Sequence, residues 1–420
     1  MRVKEAIRGA LEEAIQRLAP EANVEITLER PRHKAHGDYA CNAAMQLARV
    51  LKRNPREIAA AILEAVAWPE GVARAEVAGP GFINIFLEPG AENRVLARIL
   101  TDPSWSRPDL GHGARVLVEY VSANPTGPMH VGHGRGAVVG DAIANLLAHT
   151  GWQVEREYYI NDAGNQVRTL ARTVWLRMRE LMGEEITLPE DAYPAPYVIE
   201  IARAALEKKP FADWAAMDEA EREDELGRFA VDWNMREIRA CLDALGIRFD
   251  RFVSERALHE EGAVARAIEA LQAKGAVYRG VLPPPKGKPV DDYEPREQLL
   301  FRATAYGDET DRPLVKSDGS YTYFAADIAY HADKLRRGYA RLINVWGADH
   351  GGYVKRLQAA VEALSGRKGC PEVVLVQMVR ITREGKPVRL SKRAGNIVAL
   401  DELVREVGKD AVRFNMLTRR

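Results

Sequence analysis

The chain has 420 residues, 46% hydrophobic and 29% charged, the composition of a globular protein of two to three domains and not of a disordered, fibrous or membrane-embedded one. Lysine plus arginine and aspartate plus glutamate each total 60, so the formal net charge is +0 and no global field draws the chain to a polyanion; a nucleic acid has to be met by a local patch. Cys41, Cys241 and Cys370 stand far apart with no CxxC or Cys/His pairing, which indicates neither a zinc cage nor a disulfide framework and leaves them as small buried hydrophobes.

The opening MRVKEAIRGALEEAIQRLAP mixes both signs of charge with apolar residues at helical spacing, unlike a signal peptide or a membrane span. It predicts an amphipathic helix over residues 3–18 of a cytoplasmic protein that does not enter a membrane. A strand is expected over 24–29, helices over 41–51 and 55–67, and a strand over 79–86 after a Gly-Pro-Gly turn signal, giving a small α/β domain over residues 1–105. The Pro-, Gly-, Ser- and Asp-rich stretch 101–113 is the expected boundary.

From Arg115 the pattern changes to VLVEYV, a turn of small residues and proline, Val138, Val139, Ile143, Leu146 and Leu147 at helical spacing, and then VEREYYI. That is a βαβ unit, hence a parallel sheet with a right-handed crossover. Between its strand and helix lie Ala123, Asn124, Pro125, Thr126, Gly127, Pro128, Met129, His130, Val131, Gly132 and His133. Two imidazoles and unpaired backbone N–H groups at a helix start can face an anion, and phosphate is the natural one. Gly132 lets phosphate or adenosine approach the backbone, while His130 and His133 can donate to charge developing on a triphosphate. Residues 183–278, charged and helical, read as an insertion in a Rossmann-like domain over 106–375; LINVWGAD, a helix over 353–364 and VVLVQMV then restore the sheet. Beyond the last strand lies the basic loop Arg389, Leu390, Ser391, Lys392, followed by RAGN.

On these residues the chain resembles the class I aminoacyl-tRNA synthetases, whose signatures are His-x-Gly-His and Lys-Met-Ser-Lys; it departs from the second at Arg389 and Leu390 and keeps Lys392. SANPTGPMHVGHGRGA, REYYINDAGNQ, SDGSYTYFAADIAYHADK, WGADH and LSKRAGN together are similar to arginyl-tRNA synthetases of the bacterial kind across nearly the whole chain. GDYACNAAMQLA and AGPGFINIFL resemble that family's N-terminal tRNA-contacting domain, and one local departure is YPAPY at 193–197.

The resemblance implies an α/β fold with a class I catalytic domain, and ATP-dependent activation of L-arginine followed by transfer to tRNA(Arg). It implies ATP as a substrate with Mg²⁺ on its phosphates, no protein-bound metal cage, and a monomer. It assigns catalysis to His130, Gly132, His133, Ser391 and Lys392, and further ATP contacts to Asp349, Met378 and Val379. The arginine pocket it implies is Glu119, Ser122, Asn124, Tyr323, Asp327 and His350, with the carboxylates of Glu119 and Asp327 on the guanidinium. A loop lysine such as Lys392 suits pyrophosphate departure, since a flexible cation can close over the phosphates and open again. Residues 376–420 are expected to hold the signature loop and the start of an all-helical anticodon-binding domain that the chain lacks, its other end being complete. Two other readings stand beside this one. Small nucleotidyltransferases also use HxGH but have no place for the first domain or the insertion, and a catalytically impaired paralogue or truncated fragment would bind tRNA or arginine without joining them.

Overall fold

The computed structural model describes residues 3–418 apart from 23, 92, 103, 283–295, 378, 380, 384–385 and 389–397. It divides into two units, Met1–Pro108 and Asp109–Arg420. In the first, α1 (Val3–Leu18) turns Ile7, Leu11, Ala14 and Ile15 inward, the stripe that helical spacing requires. With α2 (Ala43–Leu51) and α3 (Pro55–Ala65) it packs on an antiparallel sheet of β1 (Leu28–Glu29), β2 (Tyr39–Cys41), β3 (Val72–Ala78) and β4 (Phe82–Leu87), in the order β1-β2-β4-β3. The strand expected over 24–29 shrinks to Leu28–Glu29, because its partner β2 is three residues long. Asn54 caps α3 by accepting from the Arg56 N–H at 2.9 Å, with Pro55 at the first helical position. The unit ends in α4 (Arg94–Thr101).

The second unit is built on a parallel sheet in the order β12-β11-β5-β6-β7. Its strands are β5 (Arg115–Glu119), β6 (Gln153–Ile160), β7 (Arg251–Ser254), β11 (Arg341–Gly347) and β12 (Glu372–Val376). The chain moves outward from β5 to β7, then returns to fill the other side, so the order reverses between β5 and β11. In such sheets ligands bind beyond the carboxyl ends of the strands at that switch point. The crossover helix α5 (Val131–His149) lies so close to the sheet that a Cβ at Gly140 would overlap the Tyr120 ring.

Helices α6 (Asn165–Leu181), α7 (Tyr197–Lys208), α8 (Phe211–Ala216) and α9 (Glu219–Ala244) pack around the buried Trp214. The expected insertion over 183–278 is not a single element of this kind, because Arg251–Ser254 pairs in parallel with β6 as the edge strand of the main sheet. Four residues following a 26-residue helix are too few to display strand alternation in the sequence. After α10 (Glu255–Glu260) and α11 (Ala263–Ala273), the strands β8 (Val277–Gly280), β9 (Gln298–Phe301) and β10 (Arg312–Pro313) form a small antiparallel sheet. Then come α12 (Tyr323–Arg336) and, between β11 and β12, α13 (Val354–Ser365). A hairpin, β13 (Ile381–Arg383) with β14 (Lys386–Val388), leads toward α14 (Leu400–Val407) and α15 (Lys409–Thr418). Leu400, Val412 and Met416 of these last helices share one core with α5 and the parallel sheet. The three cysteines are buried and unpaired, and no helix among the described residues is long and apolar enough to cross a membrane.

Candidate active site

A cleft of about 600 Å³ opens where the topology places it. Its lining includes residues just past the strand ends: Ser122 after β5, Asn161 after β6, Glu255 after β7, Asp349 and His350 after β11, and Gln377 after β12. His130, Gly132 and His133 enter from the start of α5, and Tyr323 and Asp327 from α12.

The chain leaves β5 through Val121 and Ser122 at φ of 68° and 40°, left-handed values that a β-branched valine adopts only when its surroundings hold it there. The turn brings the Ser122 hydroxyl back to donate to Glu119 Oε1 at 2.9 Å while accepting from the Tyr159 N–H at 3.1 Å. The carbonyls of the motif that follows are pinned one after another. Ala123 accepts from the Tyr158 hydroxyl at 2.9 Å, Pro125 from the Asn234 amide at 2.9 Å and Thr126 from the Tyr197 hydroxyl at 2.6 Å. A Cβ at Gly127 would strike the Tyr197 ring, and the φ of 153° there is one that glycine alone takes readily. Asn124 donates to the Gln166 side chain at 3.0 Å.

At the start of α5 the His130 N–H donates to His133 Nδ1 at 3.2 Å, and the two rings stack with centroids 3.8 Å apart. An Nδ1 that accepts carries no proton, so the proton of neutral His133 sits on Nε2 as a donor. The same turn is tied to residues far downstream, since Val131 N–H donates to the Val398 carbonyl at 3.1 Å and Leu400 N–H to the Met129 carbonyl at 3.0 Å. Of the other expected nucleotide contacts, Asp349 and His350 are exposed on a 3₁₀ turn over Ala348–Tyr353, and Val379 is half-buried against the main core. Met378, Ser391 and Lys392 lie outside the described residues.

The other end of the cleft is acidic and only partly neutralised. Glu119, 5% exposed, receives the fully buried Lys334 on Oε2 at 2.6 Å; Lys334 also donates to Asn344 Oδ1 at 3.2 Å. Asn344 in turn reaches His331 Nε2 at 3.0 Å, and His331 Nδ1 meets the Asp327 carbonyl at 2.8 Å. Burial, then the Lys334 charge, holds His331 well below its usual pKa and therefore neutral. Asp327 takes the Tyr353 hydroxyl on Oδ2; burial, aided by the Glu119 charge, still pushes its carboxyl up to about 6. Burial and the Asp327 charge push Glu255 up to about 7. Tyr323 is 54% exposed at the rim, and Tyr159 stacks on Tyr330 at 4.4 Å beneath the carboxylates.

Sequence reasoning found Glu119, Ser122, Asn124, Tyr323 and Asp327, which the structure brings to this one cleft. It missed Lys334 and Glu255. Lys334 closes AYHADK and looks like a solvated helix face; Glu255 follows Ser254 and looks like an ordinary first-turn glutamate. The charge pattern is bipolar: carboxylates at one end, a helix N-terminus with two imidazoles at the other.

Comparison with known proteins gives concordant results. The family described as "Arginyl tRNA synthetase N terminal domain" matches residues 1–87, and "tRNA synthetases class I (R), catalytic domain" matches 95–190. An arginine–tRNA ligase of Magnetococcus marinus is 51% identical over 399 residues, covering 94% of this chain and 69% of that protein. One from Azorhizobium caulinodans is 53% identical, covering 97% and 71%. The arginyl-tRNA synthetase of Thermus thermophilus shares the fold, with a TM-score of 0.62 at 23% identity over 98% of this chain and 74% of that one.

Proposed function

This chain belongs to the arginyl-tRNA synthetase family, and from that premise we propose how its cleft serves an ATP-dependent arginine–tRNA ligase. In the first step a carboxylate oxygen of L-arginine attacks the α-phosphorus of ATP, the bond to the β-phosphate breaks, and arginyl-adenylate and pyrophosphate result. In the second, a terminal ribose hydroxyl of tRNA(Arg) attacks the arginyl carbonyl and AMP leaves. Neither step needs an enzyme nucleophile, so catalysis rests on alignment and on stabilising negative charge.

The observation that carries this reading is the bipolar cleft at the switch point. Its α5 end, with His130, Gly132 and His133, receives the triphosphate, and its acidic end receives the guanidinium. Between them the arginine carboxylate meets the α-phosphate. Ser391 and Lys392 supply a further hydroxyl and cation to the phosphates by resemblance, and Asn124 and His350 stand near the α-ammonium. On this reading Mg²⁺ arrives with ATP and sits on its phosphates, a hard cation suited to oxygen ligands. The protein acts as a cytoplasmic monomer on this reading.

Arginine-dependent ATP–pyrophosphate exchange, run with and without tRNA(Arg), tests it. Exchange that requires arginine supports the ligase. Exchange with another acid or phosphate ester in place of arginine marks a small nucleotidyltransferase, and arginine binding without exchange under either condition marks a binding protein.

A further inference from the structure

Residues 398–416 touch the first turns of α5 at three points. At its entry, Val131 N–H donates to the Val398 carbonyl and Leu400 N–H to the Met129 carbonyl, an antiparallel bridge that sets His130 opposite Ala399. One turn on, the Leu400 and Met416 side chains close on Gly134, where a Cβ would meet both at 3.1 Å. Two turns further, Asp141, 4% exposed, takes the Arg413 guanidinium on Oδ2 at 2.6 Å.

Asp141 does not stand alone. The same Oδ2 accepts from the Asn145 amide at 3.0 Å, and Asn145 Oδ1 accepts from Arg156 of β6 at 2.8 Å. Arg413 donates with its other terminal nitrogen to the Leu245 carbonyl, just past α9, at 3.2 Å. One forked guanidinium thus fastens α15 both to α5 and to the end of α9. Neither Asp141 nor Arg413 lines the cleft. A buried ion pair adds little over apolar packing of the same volume, because desolvation offsets most of the attraction, so stability alone does not account for it. Direction does. Leu400, Val412 and Met416 hold the last helices by apolar contact, which is non-directional, whereas a forked charge-assisted contact fixes one register. A slip of one residue along α5, about 1.5 Å, would carry Val398 and Leu400 away from Val131 and Met129 and release the turn that holds His130 and His133.

Resting on the ligase reading above, we propose that Asp141 and Arg413 are positioning residues for adenylate formation: by fixing the register of α15 on α5 they hold the His130–His133 turn at the triphosphate without touching it. Misplacement by about 1 Å can slow an aligned reaction by about 10². The acidic end of the cleft is carried by Glu119 of β5 and Asp327 of α12, so the loss falls on the chemical step and not on arginine binding.

Three measurements on the whole chain test this: single-turnover adenylate formation with tRNA(Arg) present, arginine affinity by calorimetry, and hydrogen exchange read by mass spectrometry over segments 129–134 and 398–404. Arg413→Gln is expected to slow adenylate formation by about tenfold to a hundredfold and to change arginine affinity by less than about threefold. Hydrogen exchange at Val131 and Leu400 should rise by about tenfold or more while the parallel sheet keeps its protection. Arg413→Lys, which keeps the charge but not the fork, should recover part of the rate and of the protection. Asp141→Asn combined with Arg413→Gln should lose no more rate than Arg413→Gln alone, since the two act as one unit. Ile201→Ala, in the helical cluster around Trp214, controls for lost stability and should alter neither the rate nor those two amides. Wild-type rate or wild-type protection in a folded Arg413→Gln overturns the proposal, as does an equal fall in rate and arginine affinity, or a matching slowdown in Ile201→Ala. Should Arg413→Gln not fold, Arg413→Lys decides on the same readings. If wild type shows no arginine-dependent exchange of ATP with pyrophosphate, the ligase reading fails and takes the catalytic role with it, while amide protection still tells whether Arg413 fixes the register.

Discussion

His133 presents one ring nitrogen to its own helix and the other as a donor at the phosphate end of the cleft. His133→Ala is expected to slow adenylate formation by about 10² to 10³, the usual loss when one donor to developing charge is removed. A single-turnover rate near wild type would reject the role. Lys334 invites a different experiment: Lys334→Met leaves Glu119 buried and uncompensated, which should destabilise the protein by about 3–5 kcal/mol in denaturant titrations. Adding Glu119→Gln to that variant should return a good part of the loss. Glu255 carries the opposite sign. Its pKa rises on folding from 4.5 to about 7, so the folded state holds its proton more tightly and stability falls as pH rises between those values. That shift corresponds to about 3 kcal/mol above neutrality, so Glu255→Gln should stabilise the ligand-free protein at pH of about 8 and hardly at all at about 4. Equal stability of both proteins at both pH values would show that the carboxyl is not strained. The motif residues were legible because HVGH and its flanks are rare strings, whereas Lys334 and Glu255 look like surface charges until the sheet places them.

Helix α5 joins the strand-end motif to the core, and its fit depends on the absence of a side chain. Gly140→Ala would gain about 1 kcal/mol of helix propensity and lose more by driving a methyl into Tyr120. A net loss of about 1–3 kcal/mol by chemical denaturation is expected. A more stable variant would mean that the helix can shift off the sheet freely. Local pattern foresaw α1 to the residue, because its apolar stripe and charges repeat without interruption. It failed where pairing decides: β1 is as long as its short partner permits, and β7 is a strand only because the edge of β6 is there to receive it. Both failures have one cause, since a strand's existence depends on a neighbour that its own residues do not encode.

Each of the two units contains its own buried cluster, and the first, over Met1–Pro108, closes its core with residues from three helices and a four-stranded sheet. A fragment of residues 1–108 is therefore expected to unfold cooperatively in denaturant and to keep a mixed helix–sheet circular dichroism spectrum. A gradual, featureless melt would show that it borrows its stability from the rest. The larger unit was legible as a Rossmann-like sheet because one βαβ signal and the later strand-like LINVWGAD and VVLVQMV point to a divided parallel sheet, but its acidic pocket was less so, being assembled from distant segments. The pair of Glu119 with Lys334 spans 215 positions in the chain. During synthesis β5 leaves the ribosome long before α12 exists, so the carboxylate at its end spends that interval hydrated and without its lysine. High contact order of this kind makes the pocket a late product of folding, dependent on nearly every earlier step. A polypeptide arrested before Lys334 also lacks Val398 and Leu400, so it has neither a seat for the amino acid nor the backbone bonds that tie down the HVGH turn.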